Sequence, residues 1–220
     1  MMSERNWRIV VAEPFSSEAV ARMQSVGAVR ELAACDEQSQ FDAVAECDAL
    51  LVRTASQVTR RVIEAAPNLR VIGRGGVGLD NIDLEAAREH GVTVVYTPTA
   101  ATDAVADLTF ALILGLIWNL EGSDAAVRSG GFTAARNSAA PRELVGLTLG
   151  IIGMGRIGRA VARRAVNGFL MNVLYNDIVD PRGGLDFAAT RMEKDELYRA
   201  CDIVSLHVPL TEETRGLIGA

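Results

Sequence analysis

The stretch GIIGMGRIGRA, Gly150 to Ala160, constrains this chain more than any other. Gly153, Gly155 and Gly158 form a G-x-G-x-x-G pattern, with the apolar run TLGII before it and the helical run RIGRAVARR after it. A strand, a glycine turn and a helix in that order belong to a doubly wound, parallel α/β fold. Gly153 is suited to the tight turn, Gly155 to close approach of a pyrophosphate, and Gly158 to close helix packing. The helix N-terminus offers N–H groups and partial positive charge to phosphates. The next strand, MNVLYN, ends in Asp177, which can accept hydrogen bonds from ribose hydroxyls and repels a 2′-phosphate. NAD is therefore expected rather than NADP, although Arg182 could accommodate that phosphate.

Short β-branched runs alternate with helical patterns along the rest of the chain. WRIVVAE, DALLVR, LRVIGRG and TVVYTP read as strands, and SSEAVARMQSVG, TRRVIEAAPN and DLEAAREHG as helices between them. Ser16 or Ser17, Thr59 and Asp83 are expected N-caps, and Gly27 and Gly91 expected C-caps. A helix is expected from about Thr102 to Leu120, its apolar part Leu108 to Leu120 buried. A weakly helical connection is expected from Gly122 to Arg142. A second α/β unit then starts at Thr148, with strand MNVLYND, loop IVDPRGGLDF, helix EKDELYRAC and strand DIVSLHVPL.

A formal net charge of -6 over 220 residues, with acids and bases interspersed, gives no footprint for nucleic acid or an anionic membrane. The N-terminus enters a short strand directly, without a secretory h-region, and Leu108 to Leu120 is too short to cross hydrocarbon. Cys35, Cys47 and Cys201 have no metal-ligand spacing and are expected to be reduced core thiols in a cytoplasmic protein.

Gly73, Gly75 and Gly78 match the same glycine pattern but lack the following helix and the closing acid. Such a turn is read instead as a nest of backbone N–H groups for a small anion, a carboxylate for example. Arg53, ending DALLVR, is placed at the same carboxyl edge of the sheet, where ligands of open α/β sheets bind.

LLVRTASQVT, APNLRVIGRGGVGLDNIDLEAAREHGV, TPTAATDAVADLTFALIL, GLTLGIIGMGRIGRAVARR and CDIVSLHVPLTEETRGLIG together resemble the D-2-hydroxyacid dehydrogenase family, from Ile9 onward. The resemblance implies a flavodoxin-like substrate domain over 1–98, a crossing helix over 99–122, and a Rossmann nucleotide-binding domain over 123–220, its first half only. It implies an NAD-dependent oxidoreductase acting on a small 2-hydroxy or 2-keto acid, paired as a homodimer. Arg53 and the backbone of Gly76 and Val77 would hold the substrate carboxylate. Arg156 and Ile157 would lie against the pyrophosphate, and His207 and Pro209 would wall the adenosine pocket.

The family's catalytic arginine, glutamate and histidine lie on segments that follow RGLIG, whereas this sequence ends at Ala220, so poor turnover is expected and no catalytic residue is assigned. His90, before Gly91, suits a helix C-terminus, and His207 has no evident acid to orient it. A non-catalytic NAD-binding sensor or partner module is the alternative. One edge of TLGII is further expected to lie unpaired, its other edge taken by NVLYN.

Overall fold

The computed structural model describes residues 6–133, 136, 142–180 and 184–219. The chain forms two compact units that divide between Ala100 and Ala101. The helix set apart in the sequence as a crossing segment belongs to the second unit.

In the first unit, β1 (Trp7–Val11), β2 (Gly27–Glu31), β3 (Ala49–Val52), β4 (Val71–Arg74) and β5 (Thr93–Tyr96) form one parallel sheet in the order β2-β1-β3-β4-β5. This is the flavodoxin-like order. The connecting helices are α1 (Ser17–Gln24), α2 (Glu37–Val44), α3 (Arg60–Glu64) and α4 (Leu84–Glu89). Alternation along the strands divides the core. Val10, Leu50, Val52 and Ile72 pack with Val44, Val62 and Ala86 in one cluster, while Ile9, Val11 and Ala49 meet Phe15 and Met23 in another.

β2 and α2 were not legible in the sequence, because β2 is a half-exposed edge strand without a clean apolar alternation. Gly27 is not a C-cap. It opens β2, where a Cβ would lie 2.0 Å from the Trp7 carbonyl oxygen, so strand pairing requires glycine there. Ser16 and Asp83 do cap α1 and α4, accepting from Ala19 N and Ala86 N. Thr59 caps by backbone alone, its hydroxyl donating to Glu37 instead. Gly91, at φ 67°, follows the α4 C-cap His90.

The second unit contains α5 (Thr102–Ile117), α6 (Leu120–Arg128), β6 (Thr148–Ile152), α7 (Arg156–Phe169), β7 (Asn172–Asn176), β8 (Thr190–Arg191), α8 (Lys194–Ala200) and β9 (Ile203–Leu206). Its parallel strands run β8-β7-β6-β9. The unpaired edge expected at TLGII is therefore absent. β6 is internal, and β9 pairs along it from Leu149↔Ile203 to Ile152↔Leu206. The reason is the crossover through α8, which returns the chain past β7 and β6 to the far side of the starting strand. Gly150 admits this crossover, since a Cβ there would meet Leu197 Cδ2 at 2.6 Å and Cys201 Sγ at 3.0 Å.

α5 packs on α7, with the Phe110 and Phe169 rings stacked at 4.6 Å. It is not the wholly buried helix expected. Ala106, Phe110 and Ile113 are buried, but Leu108, Leu112 and Leu116 are 58, 66 and 80% exposed. The helix stops at Ile117, Asn119 takes the left-handed region at φ 44°, and α6 leaves at 61°. Among the described residues no single helix is long and apolar enough to cross a membrane.

Candidate functional site

The turn between β6 and α7 shows why three glycines recur at this spacing. Gly153 adopts φ 96°, and a Cβ there would sit 2.5 Å from the His207 carbonyl oxygen. At Gly158 a Cβ would approach Gly153 O to 2.0 Å, so α7 can pack only on a bare Cα. Gly155 differs from both, because none of the described residues lies within 4 Å of its missing Cβ. Its smallness serves open space rather than the fold.

Gly155 is also the N-cap of α7, and among the described residues no side chain caps that helix. The first N–H groups of a 14-residue helix thus point outward with the positive end of its dipole. Asp177, just past β7, closes the turn: Oδ2 accepts from Met154 N at 2.6 Å and Oδ1 from Val179 N at 2.9 Å. These groups line a cleft of about 540 Å³ with Arg156, Arg159, Val179 and Asp180, a volume typical of small-ligand sites. Arg191 braces its rim, pairing with the Asp180 carboxylate and donating to Asp177 O.

Of the residues expected at a cofactor, Gly155, Arg156 and Asp177 line this cleft, while Gly153 and Gly158 do not line it and serve the close packing of the turn and α7. The Ile157 side chain packs against the apolar core, which leaves its backbone at the helix start. His207 extends the β9 ladder by donating its N–H to Ile152 O at 2.7 Å, and burial lowers its pKa. Its Nε2 lies 2.9 Å from Ser205 Oγ. Pro209 is exposed, its carbonyl held by the Thr214 hydroxyl, and does not line the cleft. Arg182 lies outside the described residues. Arg159 and Asp180 were not singled out in the sequence, although each lies three residues beyond a residue that was.

In the first unit, Arg53 and the first glycine loop come together at the carboxyl edge of β3 and β4. A Cβ on Gly75 would lie 3.4 Å from Arg53 Cγ. The loop is a smaller nest than its glycines suggested. Gly75 N–H is engaged by Val52 O, and Gly76 N–H turns back onto Arg74 O, both at 2.9 Å. The donors left without an acceptor among the described residues are Val77 and Gly78 N–H. Gly76 contributes its bare Cα instead, over which the buried Arg74 guanidinium lies.

Among the described residues no group of three His, Cys, Asp or Glu side chains could hold a metal ion. The three cysteines are free thiols, and burial pushes the Cys47 thiol up to about 12, so it is inert.

A parallel α/β protein with a glycine turn, an uncapped helix start and a closing aspartate at the switch point of its second sheet is a dinucleotide-binding type. The family profile "D-isomer specific 2-hydroxyacid dehydrogenase, catalytic domain" matches residues 9–218. The chain belongs to that family. It is 39% identical over 214 residues to a D-3-phosphoglycerate dehydrogenase of Methanocaldococcus jannaschii, covering 96% of this chain and 40% of that protein. A hydroxypyruvate reductase of Thermotoga maritima is 36% identical, covering 96% of this chain and 68% of that one. A D-lactate dehydrogenase of Aquifex aeolicus, solved with NAD and lactic acid, superposes with a TM-score of 0.80 at 29% identity, covering 94% of this chain and 62% of that one. The chain thus spans about two fifths of the length of the phosphoglycerate dehydrogenases it matches.

Proposed function

We propose that this chain is the substrate- and NAD-binding portion of an NAD-dependent oxidoreductase acting on the CH–OH group of a small D-2-hydroxy acid. The observation that carries this is the cleft beside Gly155, where an open glycine, an uncapped helix start and the Asp177 carboxylate converge. In this reading Arg156 and the N–H groups opening α7 hold the pyrophosphate, and Asp177 accepts the adenosine ribose hydroxyls. The negative charge of Asp177 selects NAD over NADP. Bound NAD supplies the acceptor or donor of hydride.

In the first unit Arg53 and Val77 N–H, with Gly78 N–H beside it, hold the substrate carboxylate. The Gly76 N–H, already bonded to Arg74 O, does not. Among the described residues neither histidine is hydrogen-bonded to a carboxylate: His90 is the C-cap of α4 and His207 is bonded to Ser205. We assign these 220 residues to binding and positioning. The partner is a second copy of the chain, seated on the exposed leucines of α5. Free thiols fit a reducing cytoplasm.

Calorimetric titration of the full chain with NADH and NADPH tests the reading. NADH should bind and NADPH should bind at least tenfold more weakly, and no binding of either would overturn it. Oxidation of NADH with glyoxylate, hydroxypyruvate or pyruvate then separates the enzyme from a binding module: NADH binding without turnover by the native full-length protein would favour the module.

A further inference from the structure

The loop that carries Arg53 is held by a group the sequence did not advertise. Glu13, two residues past β1, directs its carboxylate at four successive backbone N–H groups. Oε1 accepts from Arg53 N at 2.7 Å and Ser56 N at 3.0 Å, and Oε2 accepts from Thr54 N at 3.2 Å and Ala55 N at 3.0 Å. From the opposite side the buried Asn81 donates Nδ2 to Arg53 O at 2.9 Å and Ser56 O at 2.7 Å. One carboxylate thus takes all four N–H groups of residues 53–56, and one amide takes the carbonyls at the two ends of that stretch.

Four converging N–H groups form an anion nest, and bringing them together without an anion is unfavourable. We propose that Glu13 is a positioning residue for Arg53: its carboxylate fills the nest of residues 53–56, fixing the backbone from which the Arg53 side chain runs past Gly75 of the glycine loop. A consequence is that this nest of four N–H groups is occupied by the chain itself. An incoming carboxylate is then left to Arg53 and the Val77 and Gly78 N–H groups. Partial burial pushes the Glu13 carboxyl up, but the backbone N–H groups of Ser56, Ala55 and Arg53 outweigh it and hold its pKa at about 2. The clamp is therefore charged at any physiological pH. Arg53 adds its own tie, donating Nη1 to Pro14 O at 3.1 Å, so Glu13 and its neighbour grip both the backbone and the side chain.

This inference rests on the proposed role of Arg53, and the test separates the two. In the full chain, amide exchange at residues 53–56 and the NMR signal of Arg53 Nε–H are compared between the wild type and Glu13→Gln. Loss of protection at all four amides, with a mobile Arg53 side chain and an otherwise native spectrum, is expected. An Arg53 that stays fixed in Glu13→Gln would overturn the proposal whatever the ligand. D-glycerate is then titrated into wild type, Glu13→Gln, Arg53→Ala and the double variant. Each single change should weaken binding about tenfold, the scale of a lost hydrogen bond to a charged group. The double variant should be no weaker than Arg53→Ala alone, because Glu13 acts through Arg53. Losses that multiply would overturn the positioning role. Wild type that does not bind D-glycerate, with Arg53 still released in Glu13→Gln, would sink the substrate reading and leave the clamp standing.

Discussion

The Asp177 carboxylate and the Met154 backbone N–H meet at 2.6 Å, tying the end of β7 to the glycine turn after β6. One oxygen of the closing acid therefore shapes the turn, and the residue lines the cleft. Asp177→Ala should weaken NADH binding by about 1.5–3 kcal/mol, the worth of a hydrogen bond to a charged group. Calorimetry reads this directly, and an unchanged affinity would remove Asp177 from the site.

Two glycines of the same motif should behave oppositely. Gly158→Ala forces a Cβ to 2.0 Å from Gly153 O and should destabilise the fold by about 1–3 kcal/mol, the range for overpacking. Gly155→Ala meets none of the described residues within 4 Å and should leave thermal stability unchanged while weakening NADH binding. Thermal unfolding with calorimetry separates them, and equal destabilisation by both changes would contradict this division of labour.

Glu13 makes a prediction about acid. Its pKa of about 2 in the folded chain lies below the roughly 4.3 of an unfolded glutamate. Its contribution to stability is therefore fully present above about pH 4.5 and is lost as pH falls through about 2. Urea unfolding from pH 2 to 7 should show a constant gap between wild type and Glu13→Gln above pH 5, shrinking below 4.5. A gap that widens toward acid would mean the carboxylate is not held in its charged form.

Leu108, Leu112 and Leu116 follow one another at four-residue spacing on the face of α5 turned away from Phe110 and Ile113. Monomers seldom expose such contiguous apolar surface. Leu112→Glu should shift a dimer to monomer in sedimentation, at a loss of about 2 kcal/mol or more for a central apolar contact. Unfolding stability of the monomer should change by no more than about 0.5 kcal/mol, since the side chain is already exposed. A chain that is monomeric before the change would remove this surface as an interface.

How much of this was legible follows from range. Gly153, Gly155, Gly158 and Asp177 declare themselves because a strand, a turn and a helix start are local events with fixed residue demands. The same local logic gave Asp83 and narrowed the first helix start to Ser16 or Ser17, of which Ser16 is the cap. It failed for β2 and β8, whose edge positions impose little pattern, and for Gly27, a strand residue mistaken for a helix end. The apolar run in α5 was read as buried because composition reports hydrophobicity and not which side is covered.

The α/β class, the parallel sheets and the type of ligand turn were readable along the chain, since these depend on sequence neighbours. The tertiary structure alone decided that β9 and not an open edge flanks β6, that Gly76 N–H is already spent on Arg74 O, and that Glu13 holds the Arg53 loop. Each of these joins residues far apart in sequence or depends on which way a single N–H points. Residue spacing does not encode that, because the free energy comes from groups brought together only when the sheet has formed.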